Sequence, residues 1–129
     1  ASVGIPVLGA VAAGGLVDTF DDVQEHLDLA PVLETRGLFA LTVNGDSMVD
    51  AHIADGDVVL MEPVVDPQRL RDGTVVSALV AGSGTTLKHF HRQGPTVVLE
   101  AANPAYSPIE LPAEQVQVQG KLVAVWRQV

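Results

Sequence analysis

The sequence predicts a mainly β domain with short helical turns. Three observations carry that prediction. Val, Leu and Thr recur in short runs, turn residues fall about every ten positions, and no long stretch keeps the 3.6-residue period of an amphipathic helix. Strands are expected at residues 7–12, 38–44, 58–62, 74–80, 85–91, 96–101 and 118–127. The breaks between them have mechanisms. Ala81-Gly82-Ser83-Gly84 has the length and glycine content of a hairpin loop. Arg71-Asp72-Gly73 and Gln93-Gly94-Pro95 are turn chemistry. Asn103-Pro104 and Ser107-Pro108 force extended or turning backbone. One helical turn is expected after Ser47 and another near residues 67–70. Gly14 and Gly15 interrupt the first strand. Residues 16–31, acidic and weakly patterned, read as a mobile excursion with one short strand near 26–29. Such a loop is a natural site of chain cleavage, although composition alone favours an ordinary surface loop.

A chain of 129 residues with 47% hydrophobic residues is one domain with enough apolar material for a core. No run approaches the ~18 apolar residues of a membrane span. The start lacks the basic stretch and apolar core of a signal peptide; a lack of cysteine suits the cytosol and leaves the compartment open, and the expectation is a cytoplasmic, membrane-free protein. A chain that opens on Ala1 reads as a fragment or a processed product. The absence of cysteine excludes disulfides, thiol catalysis and cysteine-type zinc sites. A net charge of −9, with seven Lys and Arg scattered rather than striped, argues against this domain gripping a phosphate backbone. The acidic excess is read as solubility.

Three segments can carry chemistry. In Asn44-Gly45-Asp46-Ser47-Met48, the serine follows a strand with apolar Leu41 and Val43 and a glycine turn. That placement fixes and exposes a hydroxyl, and it aims the N–H groups of Asp46 and Ser47 at one point where an oxyanion can sit. Val49 stands where the α/β-hydrolase elbow needs glycine, so that elbow is excluded. Taken alone, a Gly-Asp-Ser segment is usually only a turn or helix cap.

In Thr85-Thr86-Leu87-Lys88-His89-Phe90-His91, strand alternation puts Leu87, His89 and His91 on one face and Thr86, Lys88, Phe90 and Arg92 on the other. If Phe90 points into the core, Lys88 is carried partly inside. Burial disfavours the ammonium, and a neutral amine can take a proton from a serine hydroxyl. Otherwise Lys88 is a solvent-facing strand lysine. His89 and His91 can also begin a metal site with His52 or His26 as a third ligand, but the spacing fixes no such ligand. Nor does it select a histidine for a Ser–His–Asp triad. No metal or other cofactor is expected. The third segment, Gly9-Ala10-Val11-Ala12-Ala13-Gly14-Gly15, has small residues that can thread a narrow groove, and a glycine that lets an attacking oxygen approach. In isolation these residues read more safely as a strand ending at a glycine turn.

Together and in this order, Val11-Ala12-Ala13-Gly14, Gly45-Asp46-Ser47-Met48 with Ile53-Ala54-Asp55-Gly56-Asp57, and Thr86-Leu87-Lys88-His89 resemble the C-terminal self-cleavage domain of the LexA repressor family. The resemblance runs from Ile5 to Arg127. It takes in Asn103-Pro104-Ala105-Tyr106-Ser107-Pro108-Ile109 and Gly120-Lys121-Leu122-Val123-Ala124-Val125. It implies the β-rich LexA and signal-peptidase fold. It further implies that residues 1–129 form a single autoproteolytic and dimerisation domain, with a cleavage segment at about 5–31 and a catalytic core at about 32–129.

The same resemblance implies that Ser47 attacks the Ala13 carbonyl, that Lys88 is the base, and that Asp46 and Ser47 N–H groups form the oxyanion hole. Ala13–Gly14 is then the bond cut. It further implies a homodimer through the last strand, residues 118–127. A RecA filament on single-stranded DNA is the implied trigger during the SOS response to DNA damage. The resemblance also implies that operator DNA is bound only by an N-terminal domain, which this chain is expected to lack. UmuD-like mutagenesis proteins and phage repressors share the pattern and are the alternatives. A signal peptidase uses the same pair but needs a membrane anchor.

Overall fold

The computed structural model describes residues 4–8, 25–31 and 37–129. The chain forms two compact units, residues 1–36 and 37–129. In the first, β1 (Ile5–Val7) pairs antiparallel with β2 (Glu25–Leu27). The expected strand at 7–12 is therefore met at Val7 alone, and residues 9–12 lie outside the described residues. So do Ala13 and Gly14.

The second unit is one antiparallel sheet of seven strands. In chain order these are β3 (Phe39–Thr42), β4 (Val58–Pro63), β5 (Thr74–Val80), β6 (Gly84–Gln93), β7 (Thr96–Glu100), β8 (Ile109–Pro112) and β9 (Val116–Trp126). Across the sheet they run β3-β4-β9-β5-β6-β7-β8. The fold is mainly β, as expected, and single 3₁₀ turns occupy Val49–Ala51, Pro67–Arg69 and Ala113–Gln115. No helix among the described residues is long and apolar enough to cross a membrane.

The central hairpin follows from its residues. Thr74–Val80 alternates little because both faces are covered, and Val76, Ser77 and Ala78 are all buried. The loop to β6 closes over Ala81, Gly82 and Ser83, since Val80 pairs with Gly84. Between β6 and β7 the loop is Gly94-Pro95, because Gln93 pairs with Thr96. Gly94 takes a positive φ of 60° at the first loop position, and Pro95 follows with its φ locked negative.

One strand and one turn were not expected. Ile109–Pro112 pairs with β7, Leu99 opposite Ile109 and Thr96 opposite Pro112, in a stretch that reads as proline-broken loop. Its place at the sheet edge explains the tolerance, because a proline there forfeits no inner ladder bond.

β9 bends twice as it crosses from β4 to β5. Val123 is the extra residue between the pairs Leu60/Ala124 and Met61/Leu122, and Gln119 is the extra residue between Ser77/Gly120 and Ala78/Val118. Two clusters pack the unit. Val76, Ala78, Val80, Phe90, Val97, Leu99 and Val118 form one. Met48, Ile53, Val59 and Met61 form the other, beneath the Ser47 turn.

Gly120, buried between the bulges, has no room for a side chain. A Cβ there lies 2.7 Å from Phe39 Cζ and 3.0 Å from the Glu62 carbonyl oxygen. Overpacking of this kind costs about 1–3 kcal/mol. Gly120→Ala is expected to lower the unfolding free energy from urea titration by that much, and an unfolding curve that matches the parent's refutes the packing argument.

Candidate active site

The Ser47 turn is built by its neighbours on all sides. Beyond β3, Val43 N–H donates to the Asp57 carbonyl, and Gly56 N–H donates to the Val43 carbonyl, both at 2.8 Å. Gly45 then reverses the chain with a φ of 96°, and its N–H reaches Asp55 Oδ1 at 2.6 Å. Met48 and Ile53, each about 1% exposed, anchor the turn from below. Met48 C=O accepts from Ala51 and Ile53 N–H at 3.1 and 3.3 Å.

From the loop after β7, Ala102 N–H donates to the Ser47 carbonyl at 2.8 Å, and the Ala102 carbonyl accepts from Asp50 N–H. Asn103 Nδ2 donates to the Asp46 carbonyl at 2.9 Å, and Tyr106 O–H donates to Asp46 Oδ1 at 2.5 Å. That bond to the carboxylate, above all, raises the Tyr106 pKa. Among the described residues the N–H groups of Asp46 and Ser47 donate to no protein acceptor.

Lys88 arrives from β6, on the face it shares with Phe90. Phe90 is in the core and Lys88 is only 8% exposed. Lys88 Nζ donates to Ser47 Oγ at 3.1 Å and to Thr86 Oγ1 at 2.5 Å. Burial pushes the lysine below its ordinary value of 10.5. A cavity of about 250 Å³ opens beside the hydroxyl, walled by Leu41, Val43, Met48, Val59 and Leu87. Ser77 also lines it, fully buried, and its Oγ has no hydrogen-bond partner among the described residues.

Ser47, Lys88 and Asp46 thus come together, and the histidines do not join them. His89 Nδ1 lies 2.9 Å from the Gly73 carbonyl, and His91 Nε2 lies 3.4 Å from Glu100. His52 caps a turn in the left-handed region, and His26 pairs within β2. No group of three His, Asp or Glu able to hold a metal occurs among the described residues. Thr86, Ser77, Asn103 and Tyr106 are site residues that sequence reasoning missed. Thr86 was visible, two residues before Lys88 and on its strand face. The other three gave no local signal.

A model of the Peptidase S24-like family matches residues 6–123, and the chain belongs to that family. It is similar to LexA repressors. It is 42% identical over 127 residues to the LexA repressor of Koribacter versatilis, covering 98% of this chain and 59% of the relative. It is 41% identical over 127 residues to the LexA repressor of Paramagnetospirillum magneticum, covering 98% and 53%. With the transcription regulator LexA of Synechocystis it shares 34% over 124 residues, covering 96% and 61%. The chain therefore spans between half and two thirds of the length of these relatives. The likeness to the LexA repressor family, first read from the motifs, holds over nearly the whole chain.

Asp57 supports the turn from the other side. Buried to 2% exposure, it accepts from Ala54 N–H and takes both Arg127 Nε and Nη2 at 2.7 Å. The Arg127 guanidinium, with the Ala54 N–H, lowers its carboxyl from 3.8 to about 2. A depressed folded-state pKa contributes stability that is fully present above the unfolded value of 3.8 and is lost as the pH falls through about 2. Arg127→Leu is expected to lower the melting temperature by several degrees at pH 7, with the gap to the parent closing in that acid window. A gap that persists unchanged at the acid end contradicts the assignment.

Proposed function

We propose that this chain is the self-cleaving and dimerising part of a LexA-type repressor of the SOS response, cutting its own Ala13–Gly14 bond. The observation that carries the reading is Lys88 Nζ at 3.1 Å from Ser47 Oγ, in an environment that favours the neutral amine. In the proposed reaction the neutral amine accepts the Ser47 O–H proton as Oγ attacks the Ala13 carbonyl carbon. The N–H groups of Asp46 and Ser47 meet the oxyanion. Collapse breaks the Ala13 C–N bond, and the Lys88 ammonium returns the proton to the Gly14 amine. Water then hydrolyses the acyl ester on Ser47. Thr86 steers the amine, and the apolar cavity receives the small side chain before the scissile bond.

Docking of the cleavage segment removes the remaining water from Lys88, so substrate position and base activation are coupled. A RecA filament stabilises the docked state and supplies no catalytic group. The dimer forms along β9. Its pairing with β5 ends at Lys121, whereas its pairing with β4 continues to Trp126. One edge of the final turn of strand is thereby left for a second copy. Val125 and Trp126 are exposed there. Operator binding belongs to a DNA-binding domain outside this chain, in keeping with the charge of −9.

Alkaline incubation followed by intact mass tests the reaction. Because Lys88 titrates below 10.5, the first-order rate should rise with pH and level off before that value. Ser47→Ala and Lys88→Ala should each lower it by at least about a thousandfold. A rate flat from neutral to alkaline pH, or Lys88→Ala cutting normally, sinks the lysine-base reading.

A further inference from the structure

We propose that Asn103 is a positioning residue for the oxyanion donor of the Ser47 turn. The inference rests on the reading of the Ser47 N–H as such a donor. That N–H and the Asp46 carbonyl are the two ends of one peptide unit. A trans peptide is planar with C=O and N–H pointing opposite ways, so whatever holds the carbonyl aims the N–H. Asn103 Nδ2 holds it, at 2.9 Å. The next peptide is held as well, by Ala102 N–H on the Ser47 carbonyl at 2.8 Å. Tyr106 O–H fixes the Asp46 side chain at 2.5 Å. Three consecutive handles on the turn are thus gripped by one loop.

The grip answers a weakness of the turn. Gly45, at a φ of 96°, leaves the backbone before Asp46 permissive. Rotation about Asp46 ψ and Ser47 φ turns the peptide over and puts a carbonyl oxygen where an oxyanion needs a donor. Asn103 resists that rotation without touching the reacting atoms.

Asn103 has a second job that allows the two to be separated. Its Oδ1 accepts from Ala105 N–H at 2.9 Å and shapes its own loop. Asn103→Asp keeps that acceptor and replaces the donation to Asp46 by a carboxylate oxygen, which repels the carbonyl instead of holding it. A merely loop-shaping role predicts that this variant cleaves like the parent. Deleting an oxyanion donor outright costs ~10²–10³ in rate, and misaiming one costs less.

The test measures the limiting first-order cleavage rate at alkaline pH, the melting temperature, and the residual dipolar coupling of the Ser47 N–H in the ¹⁵N-labelled chain. Asn103→Asp should slow cleavage roughly 10- to 100-fold, shift the Ser47 coupling and leave the melting temperature close to the parent's. A parental rate, or a slowed rate with an unchanged Ser47 coupling, overturns the proposal. If the variant is unfolded, Asn103→Ser takes its place with the same expectations, since its hydroxyl serves the loop but is too short to reach Asp46. If the parent chain itself is not cut, the self-cleavage reading has failed and the coupling decides alone. A shifted coupling then upholds the brace, and an unshifted one overturns it.

Discussion

The structure turns on a buried amine with no acid beside it. The chain carries 16 Asp and Glu, yet among the described residues none forms an ion pair with Lys88. Its partners are the hydroxyls of Thr86 and Ser47. A carboxylate in that place holds the proton on the amine, while a neutral hydroxyl accepts a hydrogen bond without fixing the charge. Burial then acts unopposed on the pKa. The fold supplies that burial through strand phase. Lys88 lies opposite Val76 and one pleat from Phe90, both core residues, so the β5–β6 register decides whether the amine is wet or dry. A slip of one residue sends it to the other face.

The hydroxyl partner is assembled from sequence that lies far away. Ser47 is 41 residues before Lys88, and its turn is held by Asp55 and Asp57 ahead of β4 and by Ala102, Asn103 and Tyr106 after β7. Arg127 closes the arrangement at the end of the sheet by clasping Asp57. The same carboxylate caps Ala54 N–H, so the clasp acts on the segment that leads from the serine turn into β4. A serine on a glycine turn is otherwise mobile. Here each of its flanking peptides is bonded to a strand connection that is itself bonded into the sheet.

Much of the fold was legible because period-2 patterning and turn chemistry act locally. The split of β6 into a Lys88–Phe90 face and a His89–His91 face needed only alternation. The hairpins needed only Gly82 and Gly94-Pro95. β8 was illegible because an edge strand needs neither alternation nor freedom from proline. The site was legible only in part. Gly45 and the preceding strand marked Ser47 as displayed, and Phe90 marked Lys88 as buried, but nothing in either segment said that they meet. The family resemblance supplied that juxtaposition. Asn103 and Arg127 act over 57 and 70 residues of sequence, and a side chain that bonds a distant backbone leaves no mark on its own neighbourhood. Ser77 was hidden for the opposite reason, as one small residue inside an otherwise apolar central strand.

A base made ready by dryness suits the proposed self-cleavage. An enzyme that serves many free substrates has an open site between turnovers, and water there returns the amine to its charged form. A chain that cuts itself once has no such interval, because in the proposed reaction the segment to be cut is also the segment that excludes the water. In the proposed reaction the cavity beside Ser47 is less a permanent specificity pocket than a place for the substrate to complete the wall around Lys88. That no carboxylate of the described residues pairs with the amine fits the same proposal. A carboxylate there holds the charged form even when the segment is docked, and cleavage no longer depends on docking.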